Sequence, residues 1–416
     1  MPSRVSWAVL LCKVSDDSAE PFTIHEIRER FTVAGQGTPN AVDYWSEASF
    51  GNLDISGTTV FGWLTLAQRR SDYVGSGANE SGRWDLVTWA RDAAKRAEVD
   101  LAKFDGTIVI TNVDLDEWGV FRTVVLGPSV VDLTNVCHEM GHGHGFEHSR
   151  NKSRPGEDYL DPWDIMSANL VHAGSLPQSG RCGPFLNAAL SRAAGWLPAE
   201  RIWDYVRSDT APFAQTVVLR PLHRPDLPGF LAATFGEFIV EFRVPDRWDV
   251  GIPRPGVLIH SYDAGRSYLH PNDAGVRDLQ QGDTYGFAAQ KKSLDSIRGG
   301  VIGGESGIRV LNIDPGELYA TIEFVARPGR DIVIGPAISI TGADAGGGGL
   351  VIIGGKLVRI PPRQPSLRLV ELIALYQAAE DLEESALSSK IKTDVLQAFE
   401  EVIQQQRQQL ARRHEC

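Results

Sequence analysis

The chain has 416 residues, 42% of them hydrophobic and 23% charged, with a formal net charge of −12. That length allows two or three domains and a substantial core. The negative charge argues against nucleic acid or an anionic membrane as the main partner, and no apolar run reaches the ~18 residues of a membrane span.

In chain order, residues 5–14 read as a first buried strand. The start briefly mimics a signal peptide, but its apolar stretch from Trp7 to Cys12 is short and no small-residue cleavage site follows. Residues 22–31 read as an amphipathic helix, 39–50 as a second helix, 53–66 as a hairpin and 81–99 as a third helix. The apolar run 107–113 has the composition of a strand inside a sheet, and 119–126 that of an edge strand. A further helix is expected from near Val131, capped by Asp132 or Ser129, and a closing helix over 184–196. Helices and strands alternate up to this point, which gives an α/β (α+β) domain over 1–198.

From 199 to 360 short runs alternate with Pro and Gly turns, among them 213–219, 238–244, 256–262, 318–325 and 332–334. This texture predicts an all-β, sandwich-like domain. Gly346 to Gly349 read as a flexible loop or linker. Residues 361–416 carry two apolar helical stripes, 367–387 and 390–410, read as a helical hairpin.

The chemistry is concentrated in His138-Glu139-Met140-Gly141-His142-Gly143-His144-Gly145-Phe146-Glu147-His148. It matches H-E-x-x-H-x-x-G-x-x-H without a mismatch. On a helix, His138 and His142 lie about 40° apart and can close on one ion, with Glu139 beside it as general base. Gly145 can take the left-handed conformation that ends a helix, after which His148 returns as third ligand. Three imidazoles leave a fourth zinc position open, the mark of a catalytic site rather than a structural one. His144 points about 120° from the His142 face and is left out of the ligand set. One zinc ion is expected, and no calcium site is assigned. The bland reading is a glycine-rich helix end with core histidines, but glycines at 141, 143 and 145 each cost about 1 kcal/mol of helix propensity, which packing rarely demands.

This motif resembles that of the metzincin metallopeptidases. The segment Tyr159-Leu160-Asp161-Pro162-Trp163-Asp164-Ile165-Met166-Ser167 looks like their methionine turn, with Met166 under the metal. Tyr44-Trp45-Ser46-Glu47-Ala48-Ser49-Phe50-Gly51-Asn52-Leu53, followed by Gly62-Trp63-Leu64-Thr65-Leu66, resembles the immune-inhibitor and gametolysin-like group. The likeness covers about the first 200 residues and is patchy to about 340. It implies a metzincin-like catalytic domain, a zinc-dependent endopeptidase acting on protein or peptide substrate, and a secreted setting. Some metzincins carry a tyrosine two residues after the turn methionine. Ala168 stands there in this chain, so no oxyanion donor is assigned, and Tyr159 is not taken as its substitute.

Four cysteines (12, 137, 182 and 416) are too few for a disulfide scaffold. Buried free thiols are expected, with a Cys137–Cys182 bridge as the alternative. His260 in a strand reads as structural. The sequence holds no serine-hydrolase elbow and no P-loop. Two other readings compete with the peptidase: a non-catalytic protein in which zinc is a staple and the β-domain binds protein or glycan, and a latent enzyme masked by Cys12 or Cys416.

Overall fold

A computed structural model describes residues 2–75, 81–176, 180–205, 213–286, 307–326, 332–334, 338–343, 349–353 and 356–360. It is a mixed α+β molecule, mostly β. In chain order the elements are β1 (Ser3–Arg4), β2 (Trp7–Lys13), α1 (Ile24–Phe31), α2 (Ala41–Ala48), β3 (Leu53–Asp54), β4 (Thr59–Thr65), α3 (Ser81–Arg96), β5 (Gly106–Thr111), β6 (Trp118–Val120), β7 (Thr123–Leu126) and α4 (Leu133–Gly143). There follow β8 (Arg150–Asn151), β9 (Arg154–Asp158), β10 (Gly174–Leu176), β11 (Gly180–Cys182), α5 (Ala188–Ala193), β12 (Ile202–Asp204), β13 (Phe213–Leu219), β14 (Ala232–Phe235), β15 (Phe238–Arg243), β16 (Gly256–Asp263) and β17 (Arg266–Leu269). The last are β18 (Thr284–Tyr285), β19 (Gly307–Asp314), β20 (Tyr319–Ala326) and β21–β24 (Ile332–Ile334, Ile338–Ala343, Gly349–Ile353, Lys356–Ile360).

The first sheet has the order β4-β2-β5-β7-β6, parallel except for the antiparallel edge strand β6. Alternation along its strands divides the core in two. Trp7, Val9, Leu11, Ile108, Ile110, Val124 and Leu126 join one cluster with residues of α1, α2 and α4. Ala8, Leu10, Cys12, Val109 and Val125 face the other way, into a cluster with Leu86, Val87, Ala90 and Ala94 of α3. Burial on both faces explains the near-continuous apolar runs of β2 and β5.

The caps follow local chemistry. Thr23 and Glu26 form a reciprocal box at the start of α1, and Asn40 and Asn187 cap α2 and α5. Residues 53–66 are not a hairpin: β3 pairs with β1 and β4 with β2, both in parallel. Long-range pairing with β2 satisfies β4 instead of a local turn. The expected edge strand 119–126 divides at Phe121 and Arg122 into β6 and β7, and only β6 is the edge. The closing helix is shorter than expected, because Asn187 starts it late and Gly195, at φ 72, follows its end.

A second sheet runs β12-β14-β15-β16-β17-β8-β9. Strands from both sides of residue 198 share it, and β17 pairs in parallel with β8, matching Tyr268 to Arg150 and Leu269 to Asn151. The segment that follows His148 is thereby stitched to the sheet. A third sheet has the order β13-β20-β19-β18. Chain contacts divide the molecule into two units; most of the described residues fall in one made of Met1–Val206, Gln215–Gly286 and Ile308–Phe324. The other contains the antiparallel meander β21-β22-β23-β24. The helical stripes expected over 361–416 lie outside the described residues, as does Cys416. Among the described residues no helix is long and apolar enough to cross a membrane.

Candidate metal centre

Helix α4 begins where Asp132 accepts the backbone N–H of Asn135 at 3.3 Å, and nearly all of it is buried. It ends in a nested pair of backbone bonds: Gly145 N–H donates to His142 O at 2.9 Å and Phe146 N–H to Gly141 O at 3.0 Å. Gly145 sits at φ 96, a conformation that glycine adopts without strain. The chain then turns back and brings His148 toward the helix.

His138, His142 and His148 come together, one nitrogen of each lying within 4.8 Å of the others. The Nε2 atoms of His138 and His142 are 3.2 Å apart. The opposite ring nitrogens decide the protonation. His138 Nδ1 is 2.9 Å from Ile165 O, and His142 Nδ1 is 2.7 Å from Phe146 O. A carbonyl oxygen only accepts, so both Nδ1 atoms carry the hydrogen and both Nε2 atoms present lone pairs. His148 Nδ1 lies 3.1 Å from a carboxylate oxygen of Asp158, which fixes the same tautomer. Facing lone pairs in a buried site repel unless a cation lies among them, so the donor set fits a divalent metal ion.

Electrostatics agree. Burial, with each imidazole opposing charge on the next, takes His138 down to about 3 and His142 to about 4. Both rings are therefore neutral ligands at neutral pH. Glu139 is also buried, and its Oε2 has no hydrogen-bond partner. Burial, reinforced by Glu117, pushes its carboxyl up to about 8; a neighbouring cation would draw it down again.

A second ring of contacts holds the ligands. Asp158, at the end of β9, receives His148, Arg150 Nε at 2.6 Å and Arg266 Nη1 at 3.2 Å. Burial opposes its charge, but Arg150 and His148 outweigh it and keep Asp158 below the usual carboxylate range. Met166 is fully buried against the helix, and Ser149 N–H donates to its carbonyl at 3.1 Å. The Tyr159 ring lies 4.1 Å from that of His148, on a backbone at φ 66. Such a φ is strained for an aromatic residue.

Of the sequence-expected residues, His138, His142 and His148 come together, Glu139 adjoins the first of them in α4, Gly145 follows that helix and Met166 packs against Gly141. His144 lies apart, edge-on to Trp7 and Trp45. Cys12, Cys137 and Cys182 are free and buried. Cys12 packs with α3 on one face of the first sheet, whereas α4 and Met166 pack on the other, so it does not reach the centre. Sequence reasoning missed Asp158, Arg150 and Arg266. A carboxylate behind a ligand histidine is a general requirement, but no spacing rule pointed to Asp158. His260 is indeed buried in β16, but it is ion-paired to Asp161 rather than solitary.

No family model and no curated protein matches the sequence. Among solved structures, the chain is similar to wild-type OgpA from Akkermansia muciniphila in two crystal forms. One match has 12% identity and a TM-score of 0.30, covering 79% of this chain and 94% of that one. The other has 11% identity and a TM-score of 0.32, covering 79% and 95%. Similarity at that level does not assign a common fold.

Proposed function

We propose that this chain is a zinc-dependent endopeptidase with a metzincin-like catalytic region, akin to the immune-inhibitor and gametolysin-like group, that hydrolyses peptide bonds in protein substrates. The observation that carries the reading is the convergence of three imidazoles whose far nitrogens are each tied to an acceptor, with a buried carboxylate next to the first whose Oε2 has no hydrogen-bond partner. His138, His142 and His148 would hold the ion. When bound, zinc lowers the pKa of a water toward 7 and polarises the scissile carbonyl. Glu139 takes the proton of the attacking water on a carboxylate oxygen and delivers it to the leaving amine nitrogen. Asp158, Ile165 O and Phe146 O keep the three rings in the ligating tautomer throughout. Met166 supports the centre from below without competing for a hard oxygen or nitrogen position.

The rival reading, zinc as a structural staple, requires a fourth protein ligand. Among the described residues the metal-competent group contains three side chains, which favours the catalytic reading. Digestion of a proteome-derived peptide library, with cut sites read by mass spectrometry, tests the proposal. Cleavage that stops with a chelator and returns with zinc is expected. An intact library in the presence of zinc would contradict it.

A further inference from the structure

Beneath the centre lies a group of polar and charged side chains that the proposed chemistry does not use. Asp161, Asp164, Asn187, His223, Glu241, Asp249 and His260 are fully buried, and Arg243 is 1% exposed. Arg243 pairs with Asp249 and with Glu241 at 3.2 Å, and His223 Nδ1 lies 3.0 Å from Asp249. His260 Nε2 lies 2.8 Å from Asp161 Oδ2, with its Nδ1 3.6 Å from Glu241. Taking so many charges out of water is expensive, and apolar packing of the same volume is often as stable or more so. Stability alone is a poor reason for this arrangement.

The contacts lead to the methionine turn. Asp161 accepts Trp163 N–H at 3.2 Å, and its own N–H donates to Ser167 Oγ at 3.2 Å. Asp164 accepts Asn187 N–H at 3.0 Å and the hydroxyl of Ser149, next to His148. Between these two carboxylates and the helix stands Ile165, whose carbonyl accepts from His138 Nδ1. Apart from a long 3.5 Å contact from Asn187, His260 is the partner of Asp161 Oδ2.

We infer that His260 is a positioning residue for the metal centre: through Asp161 it sets the turn 161–166, and through the Ile165 carbonyl it sets the orientation of His138. The inference rests on the metal-site reading above. Burial alone would lower the pKa of His260, but Asp161 outweighs it and holds the ring above its ordinary value. The 2.8 Å contact from His260 Nε2 to Asp161 Oδ2 ties the ring to the turn.

The test uses the full chain, zinc alone as ligand and a chromophoric chelator as competitor, with cobalt absorption bands as a second readout. His260→Ala is compared with His223→Gln, which alters the same network at a residue that does not touch the turn. The expectation is a roughly 10- to 100-fold weaker zinc affinity and shifted cobalt bands for His260→Ala. His223→Gln should lower Tm and leave both readouts unchanged. If His260→Ala does not fold, His260→Gln is read instead, with an intermediate loss expected because its amide can still reach Asp161. Zinc affinity within twofold of wild type in a folded His260 variant would overturn the inference. Failure of the wild type to bind zinc would instead overturn the metal-site reading, and this one with it.

Discussion

The thioether of Met166 fills the space that a side chain on Gly141 would need: a Cβ at Gly141 would lie 2.4 Å from Met166 Sδ and 3.6 Å from Trp45. Helix and turn meet at a contact where a side chain on residue 141 would force the Met166 thioether to move. Alanine gains about 1 kcal/mol of helix propensity, while overpacking a sealed core costs about 1–3 kcal/mol. Gly141→Ala should therefore destabilise the wild-type chain and stabilise a Met166→Ala background, where the space is free. Denaturant unfolding of the four proteins in this cycle checks it; the same sign in both backgrounds would contradict the contact.

Asp158 should control zinc affinity without touching the ion. Asp158→Asn removes the charge that fixes the His148 tautomer and leaves Arg150 and Arg266 without their shared anion. A loss of about 10- to 100-fold in zinc affinity is expected. Competition titration measures it, and an unchanged constant would show that Asp158 does not orient His148.

Metal-free protein should reveal the buried Glu139 carboxyl through its pH dependence. Glu139 is raised to about 8 by burial and Glu117. A raised carboxyl contributes stability below its unfolded value near 4.5 and loses it as pH rises through 8. Glu139→Gln has no such group to ionise. Wild-type Tm should thus fall relative to Glu139→Gln between pH 4.5 and 8, both proteins chelator-treated. Parallel Tm curves would contradict the burial of this carboxylate.

Much of the centre was legible because helical periodicity fixes what one element presents. Asp132 as cap, His138 and His142 one turn apart and Gly145 at the exit are all local rules, and the structure obeys each. The partners that make the rings usable were not legible. Asp158 arrives from β9, Arg266 from β17, and the Ile165 and Phe146 carbonyls carry no side-chain signature. The same limit explains β3 and β4, whose alternation reads as a hairpin although their partners are β1 and β2. His260 was placed correctly in a buried strand, but its ion pair with Asp161 spans 99 residues of sequence.

Arg243 bridges Glu241 and Asp249 in the layer below the turn. Arg243→Met leaves two buried carboxylates facing each other. Breaking such a pair from one side costs about 3–5 kcal/mol. A change below about 1 kcal/mol in denaturant unfolding would mean that the carboxylates are relieved by water or protonation.

The central claim is most directly tested by metal content and turnover measured together in Glu139→Gln. Only the proposed proton-transfer group is altered, while the three imidazoles and their acceptors remain. The expected result is one zinc per chain, as in wild type, with peptide cleavage lost. Cleavage at the wild-type rate, or a wild-type chain that holds no zinc, would contradict the account.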